Sequence, residues 1–131
     1  IIPTTSGATK SVAEVIPELK GKMDGVALRV PVACGSIVDF VAELDKEVTK
    51  EQINNAFKKA ANGSMKGILE YTEDEIVSSD VIKNSHTSIV DGLSTQIIKD
   101  KEKETLVKVL SWYDNEYAYS CKIVDLIKRL K

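Results

Sequence analysis

Cysteine is scarce in this chain, and its two copies, Cys34 and Cys121, stand far apart with neither metal-ligand nor Cys-x-x-Cys spacing. With no secretory leader in view, they read as reduced thiols, and a cytoplasmic location is expected. No apolar run approaches the roughly 20 residues that a membrane-spanning helix needs, so a membrane role is not expected. Basic charge is not in excess: 18 Lys and Arg against 20 Asp and Glu are mixed along the sequence, for a net charge of -2. This leaves no basic stripe for nucleic acid phosphates. Glycine-rich dinucleotide fingerprints are absent, so the chain holds no Rossmann half of its own. Repeats, low-complexity tracts and linkers are absent too. One soluble domain is the expectation, with 131 residues enough to bury about two thirds of the unfolded surface.

What is present is patterned. The opening, Ile1-Ile2-Pro3-Thr4-Thr5-Ser6-Gly7-Ala8-Thr9-Lys10, runs three hydroxyls and a glycine into residues 8–16. There Val12, Val15 and Ile16 follow helical spacing until Pro17 ends it. A start at Ile1 with such a pattern reads as a chain cut from something longer, whether from an upstream domain or a removed leader. Residues 26–30 alternate as a half-buried strand, with Val26, Leu28 and Val30 inward and Arg29 on the other face. Residues 36–44 form the clearest strand, with Val38, Phe40, Ala42 and Leu44 on one side. Thr49 and Gln52 make a capping box for a helix with the stripe Ile53, Ala56, Phe57 and Ala60, stopped at Asn62-Gly63.

Further strands are expected over residues 67–72, 76–82, 88–91, 95–98 and 105–112, several pairing as antiparallel neighbours, with the alternating charges of residues 99–104 as a solvated turn. From residue 115 the spacing of Cys121, Ile123, Val124, Ile127 and Leu130 predicts a helix. Asp114 or Asn115 would cap it, and Lys128, Arg129 and Lys131 would sit at its negative end. The order predicts an α+β fold, a mainly antiparallel or mixed sheet with helices packed on one face.

Thr5, Ser6 and Gly7 can offer hydroxyls and first-turn N–H groups to an anion such as phosphate, with Lys10 and Arg29 adding charge if the fold brings them near. The plainer alternative is an ordinary helix cap, and for Arg29 plain exposure. His86 has no Ser or Cys in an activating context beside it and reads as structural or exposed. Spacing singles out none of Asp39, Asp80, Asp91, Asp114 and Glu116 as an acid or base, and no metal site is expected. Asn115 and Tyr119, four residues apart, would share a face at a helix start. The Asn115 amide can cap the helix or bind a ligand carboxamide, capping being the plainer reading.

IIPTTSGATK, LRVPV, GSIVDF, KGILEYTEDEIVSSD, HTSIVDG and LSWYDNEYAYS occur in an order and spacing that resembles the phosphorylating glyceraldehyde-3-phosphate dehydrogenases over essentially all 131 residues. The resemblance implies their C-terminal catalytic domain, starting after the segment that carries the nucleophile, with residues 115–131 a terminal helix packed on a nucleotide-binding domain outside this chain. It also implies the family chemistry. A cysteine in a Cys-Thr-Thr-Asn-like motif takes up the aldehyde as a thiohemiacetal, a histidine assists, hydride passes to NAD, and inorganic phosphate releases the acyl group as 1,3-bisphosphoglycerate. Neither that motif nor that histidine is in this sequence, and Cys34, Cys121 and His86 have the wrong neighbours. The chain alone is therefore expected to be inactive.

By the same resemblance, Ser6 and Gly7 match part of the inorganic-phosphate site, and Arg29 matches an arginine shared between substrate phosphate and inorganic phosphate. Asn115 matches the asparagine that holds the nicotinamide carboxamide, and Tyr119 the tyrosine beside it. NAD would be bound mainly by the nucleotide-binding domain. Glyceraldehyde 3-phosphate and phosphate are the implied substrates, and a cytoplasmic, glycolytic homotetramer the implied assembly. Two positions depart from the family pattern: Ala118 stands for the usual glycine, and Ala33-Cys34-Gly35 occupies a variable stretch, which bears on fine cofactor geometry. An erythrose-4-phosphate dehydrogenase shares the architecture, though the Ser111-Trp112-Tyr113-Asp114 wording favours the glyceraldehyde enzyme. The remaining alternative is a non-catalytic anion-binding or oligomerisation module.

Overall fold

Proline lacks an amide hydrogen and its ring crowds the preceding turn, and the first helix stops two residues short of Pro17, as α1 (Ala8–Val15) followed by a 3₁₀ turn at Pro17–Leu19. The computed structural model describes residues 1–100 and 103–130. Two units divide the chain, Ile1–Ala33 and the residues from Cys34 onward. In the first, β1 (Ile2–Thr5) pairs antiparallel with β2 (Val26–Arg29), Ile2 opposite Arg29 and Thr5 opposite Val26. The expected inward face of Val26, Leu28 and Val30 is a correction: Val26 is 64% and Leu28 62% exposed. A two-stranded ribbon has no second layer of its own to cover such a face.

The second unit holds β3 (Ser36–Glu43), α2 (Lys50–Asn62), β4 (Leu69–Thr72), β5 (Ser88–Asp100), β6 (Lys103–Tyr113) and α3 (Tyr117–Arg129). Its four strands lie in the order β3-β6-β5-β4. β3 and β5 flank β6 antiparallel, whereas β4 runs parallel to β5, which makes the sheet mainly antiparallel but mixed, as expected. A parallel pair needs a long crossover, and residues 73–87 supply it. The strand expected over residues 76–82 is therefore a set of turns. Asp80 accepts a hydrogen bond from the Val77 N–H at 2.7 Å, Lys83 takes a positive φ of 64°, and Val81 alone is fully buried. The pieces expected over residues 88–91 and 95–98 form one strand with a register shift between Asp91 and Gln96. Of the expected turn at residues 99–104, positions 99, 100, 103 and 104 extend the two strands, and 101 and 102 lie outside the described residues.

Val48, Leu69, Val90, Val107 and Val109 form the core where α2 covers β4 and β5, with Ile53, Phe57, Ala60 and Ala61 as the helix stripe. Ala56, expected in that stripe, is exposed. Register places Val38 and Phe40 on the same sheet face as Ser111 and Val109. Both remain about 45% exposed because α2 lies over β4 and β5, not over β3. The fold is α+β with a mixed sheet. No helix among the described residues is long and apolar enough to cross a membrane.

Candidate functional site

Ser6 and Gly7 form the junction of β1 and α1. The Ser6 hydroxyl accepts a hydrogen bond from the Ala8 N–H at 3.2 Å, one residue ahead of the N-cap, which is Gly7 and has no side chain to cap with. The Gly7 carbonyl accepts from the Ser11 N–H at 3.1 Å and the Ser11 hydroxyl at 3.3 Å. A Cβ built on Gly7 would meet nothing within 4 Å, so this backbone is open to close approach. The N–H groups of Thr9 and Lys10, in the first turn, have no intrahelical acceptor.

Arg29 lies three residues along β2 from Val26, which faces Thr5. That offset is about 10 Å of strand, so the ribbon sets the Arg29 backbone apart from the Ser6-Gly7 corner. Alternation puts Arg29 on the ribbon face of Ile2, Thr4 and Ala27. Thr4 has a shielded hydroxyl with no hydrogen-bond partner among the described residues. Sequence reasoning passed over Thr4 because nothing local separates it from Thr5.

In the second unit the organising group is Asp114, which is only 3% exposed. Its carboxylate accepts from the N–H groups of Lys83 at 2.7 Å, Glu116 at 2.8 Å and Tyr117 at 2.9 Å, and from the Cys34 thiol at 3.4 Å. The backbone donors, Tyr117 first, hold its carboxyl down at about 2 despite burial. Asp114 thus satisfies the backbone N–H groups that lead into α3, whose N-cap is Glu116, and Asn115 does not, which corrects the plainer reading of that amide.

The Asn115 Oδ1 instead accepts from the Gly35 N–H at 3.1 Å and the Ser36 hydroxyl at 3.2 Å, with the Cys34 Sγ at 3.9 Å. Tyr119 is 68% exposed within α3, and Asn115 precedes that helix by two residues, so the two do not share a helical face. Burial, reinforced by the Asp114 carboxylate, pushes the Cys34 thiol up, the opposite of what an activated nucleophile requires. His86 Nδ1 lies 2.9 Å from Glu70 Oε2 and 2.9 Å from Asn84 Oδ1, and Asn84 donates to the same Glu70 carboxylate at 2.9 Å. None of these partners is a nucleophile, and the network ties the crossover to β4.

A family model described as glyceraldehyde 3-phosphate dehydrogenase, C-terminal domain, matches residues 1–115. The chain belongs to that family. Glyceraldehyde-3-phosphate dehydrogenase 2 of Bacillus subtilis is 51% identical over 130 residues, 99% of this chain and 37% of the relative. The Borreliella burgdorferi glyceraldehyde-3-phosphate dehydrogenase is 54% identical over 132 residues, 99% of this chain and 38% of the relative. That of Geobacillus stearothermophilus is 56% identical over 126 residues, 96% of this chain and 36% of the relative. The chain thus spans little more than a third of the length of these glyceraldehyde-3-phosphate dehydrogenases. Ala118 is only 1% exposed, so its methyl group is packed inside while Tyr119 faces out.

Proposed function

We propose that this chain is the phosphate- and nicotinamide-contacting part of a cytoplasmic, NAD-dependent, phosphorylating glyceraldehyde-3-phosphate dehydrogenase that works as a homotetramer in glycolysis. The observation that carries the reading is identity of 51% to 56% over nearly the whole chain to proteins of that name. The same names weigh against the erythrose-4-phosphate alternative.

The local chemistry fits. Ser6 and the open Gly7 backbone suit an oxyanion of inorganic phosphate, and Arg29, set about 10 Å along the ribbon, suits an anion shared with the substrate phosphate. A forked guanidinium binds two such groups with separate donors. Asn115 has its carbonyl oxygen occupied by Gly35 and Ser36, which leaves its NH₂ to donate to a nicotinamide carboxamide; the exposed Tyr119 of α3 is assigned to the same cofactor on the family resemblance alone. NAD, when bound, supplies the hydride acceptor. The nucleophile and its histidine lie outside this chain's motifs, and residues 115–131 dock on the nucleotide-binding domain.

The test is steady-state kinetics of the full-length protein with glyceraldehyde 3-phosphate, NAD and phosphate. Arg29→Ala is expected to lower kcat/KM for both anions, a loss of about 2–4 kcal/mol for a charge-assisted contact. Unchanged kinetics would remove Arg29 from the site, and no NADH formation by the wild-type protein would leave the non-catalytic module standing.

A further inference from the structure

The Asn115 side chain is held from the opposite end of its unit, by residues about 80 positions away in sequence. A backbone N–H can only donate, so the Gly35 N–H requires the amide oxygen, not the nitrogen, to face it. That contact fixes which way round the amide sits. The Ser36 hydroxyl donates to the same oxygen, and the Asn115 NH₂ meets no acceptor among the described residues and stands at an exposed position. The turn that delivers the N–H is itself constrained. Gly35 has φ +94°, and a Cβ there would collide with the Ser78 carbonyl oxygen. No residue with a side chain fits.

We propose that Gly35 and Ser36 are positioning residues that lock Asn115 as a pure donor, so that the site selects a ligand carboxamide by its oxygen. This rests on the nicotinamide reading above and deepens it. A freely rotating amide would present donor or acceptor equally well. The clamped one discriminates, because a ligand group that cannot accept leaves the NH₂ unpaired. The Gly35-Ser36 turn thereby gains a role in cofactor geometry.

The experiment measures, in the full-length protein, the Kd for NAD and for its thionicotinamide analogue, whose sulfur is a weak acceptor, alongside thermal melting. Asn115→Ala is expected to weaken NAD binding at least tenfold. Ser36→Ala should weaken it roughly 3- to 10-fold, the effect of one lost hydrogen bond, and should narrow the preference for NAD over the thio analogue, whereas Ser36→Thr restores both. The Asn115→Ala/Ser36→Ala double variant should bind no worse than Asn115→Ala alone, since both act through one amide. Asn115→Asp keeps the oxygen that Gly35 and Ser36 contact but has no NH₂, and should melt as the wild type while losing NAD affinity. If Asn115→Ala and Asn115→Asp both bind NAD normally, the nicotinamide reading falls and the clamp with it. If they weaken binding but Ser36→Ala does not, or if the double variant is additive, the reading stands and the clamp is overturned.

Discussion

Asp114 shows how one residue settles several backbone groups at once. Its carboxyl, held at about 2 against an ordinary 3.8, means the folded state binds a proton less readily than the unfolded chain. The stability this brings is fully present above the ordinary value and is lost as pH falls through about 2; the difference corresponds to about 2 kcal/mol. Urea unfolding of wild type and Asp114→Asn between about pH 5 and pH 2 should show the wild type losing that increment and the variant not losing it. Parallel curves would refute the assignment. At neutral pH Asp114→Asn is expected to cost about 1–3 kcal/mol, because an amide nitrogen cannot accept from the Lys83, Glu116 or Tyr117 N–H groups. The sequence made Asp114 and Asn115 equal candidates for the cap. What separates them is a glycine about 80 positions away, which no local pattern could reveal.

Among the elements, α2 is the one most legible beforehand. Thr49 Oγ1 accepts from the Gln52 N–H at 3.2 Å and Gln52 Oε1 from the Thr49 N–H at 2.9 Å, the reciprocal box expected from their spacing. Val48 before the cap and Ile53 in the second turn both join the core, which fixes the entry of the chain into the helix. Thr49→Ala should lower stability by about 1 kcal/mol, read as a shifted denaturant midpoint at constant slope. No shift would mean that tertiary packing alone holds the helix start. Residues 76–82 misled for the converse reason. Their β-branched residues suit a strand, but a strand needs a partner, and the Asp80 side chain closes a turn that offers the backbone a local alternative.

For the whole molecule, the notable property is how much apolar surface stays uncovered. On α3 Tyr119, Val124, Leu126 and Ile127, Leu130 just after it, and Val41 of β3 are all at least half exposed, and Val38 and Phe40 of β3 are nearly so. Uncovered apolar area of this kind marks interaction surfaces. The 131-residue chain produced by itself should therefore elute larger than a monomer, in a concentration-dependent way, and form no NADH. Val124→Lys with Ile127→Lys should reduce association without lowering the melting temperature. A monomer at every concentration, with the wild-type sequence, would contradict this.

Local patterning by itself determined the capped helix α2, the strand β3, the stop at Pro17 and the motif order that marks the family, because each depends on residues within a turn or two of one another. The tertiary structure decided the parallel placement of β4, the uncovered end of the β3 face and the pairing of Asn115 with Gly35 and Ser36. Those depend on which distant segments meet, and the free energy of such meetings resides in packing and hydrogen bonds that no stretch of sequence contains alone.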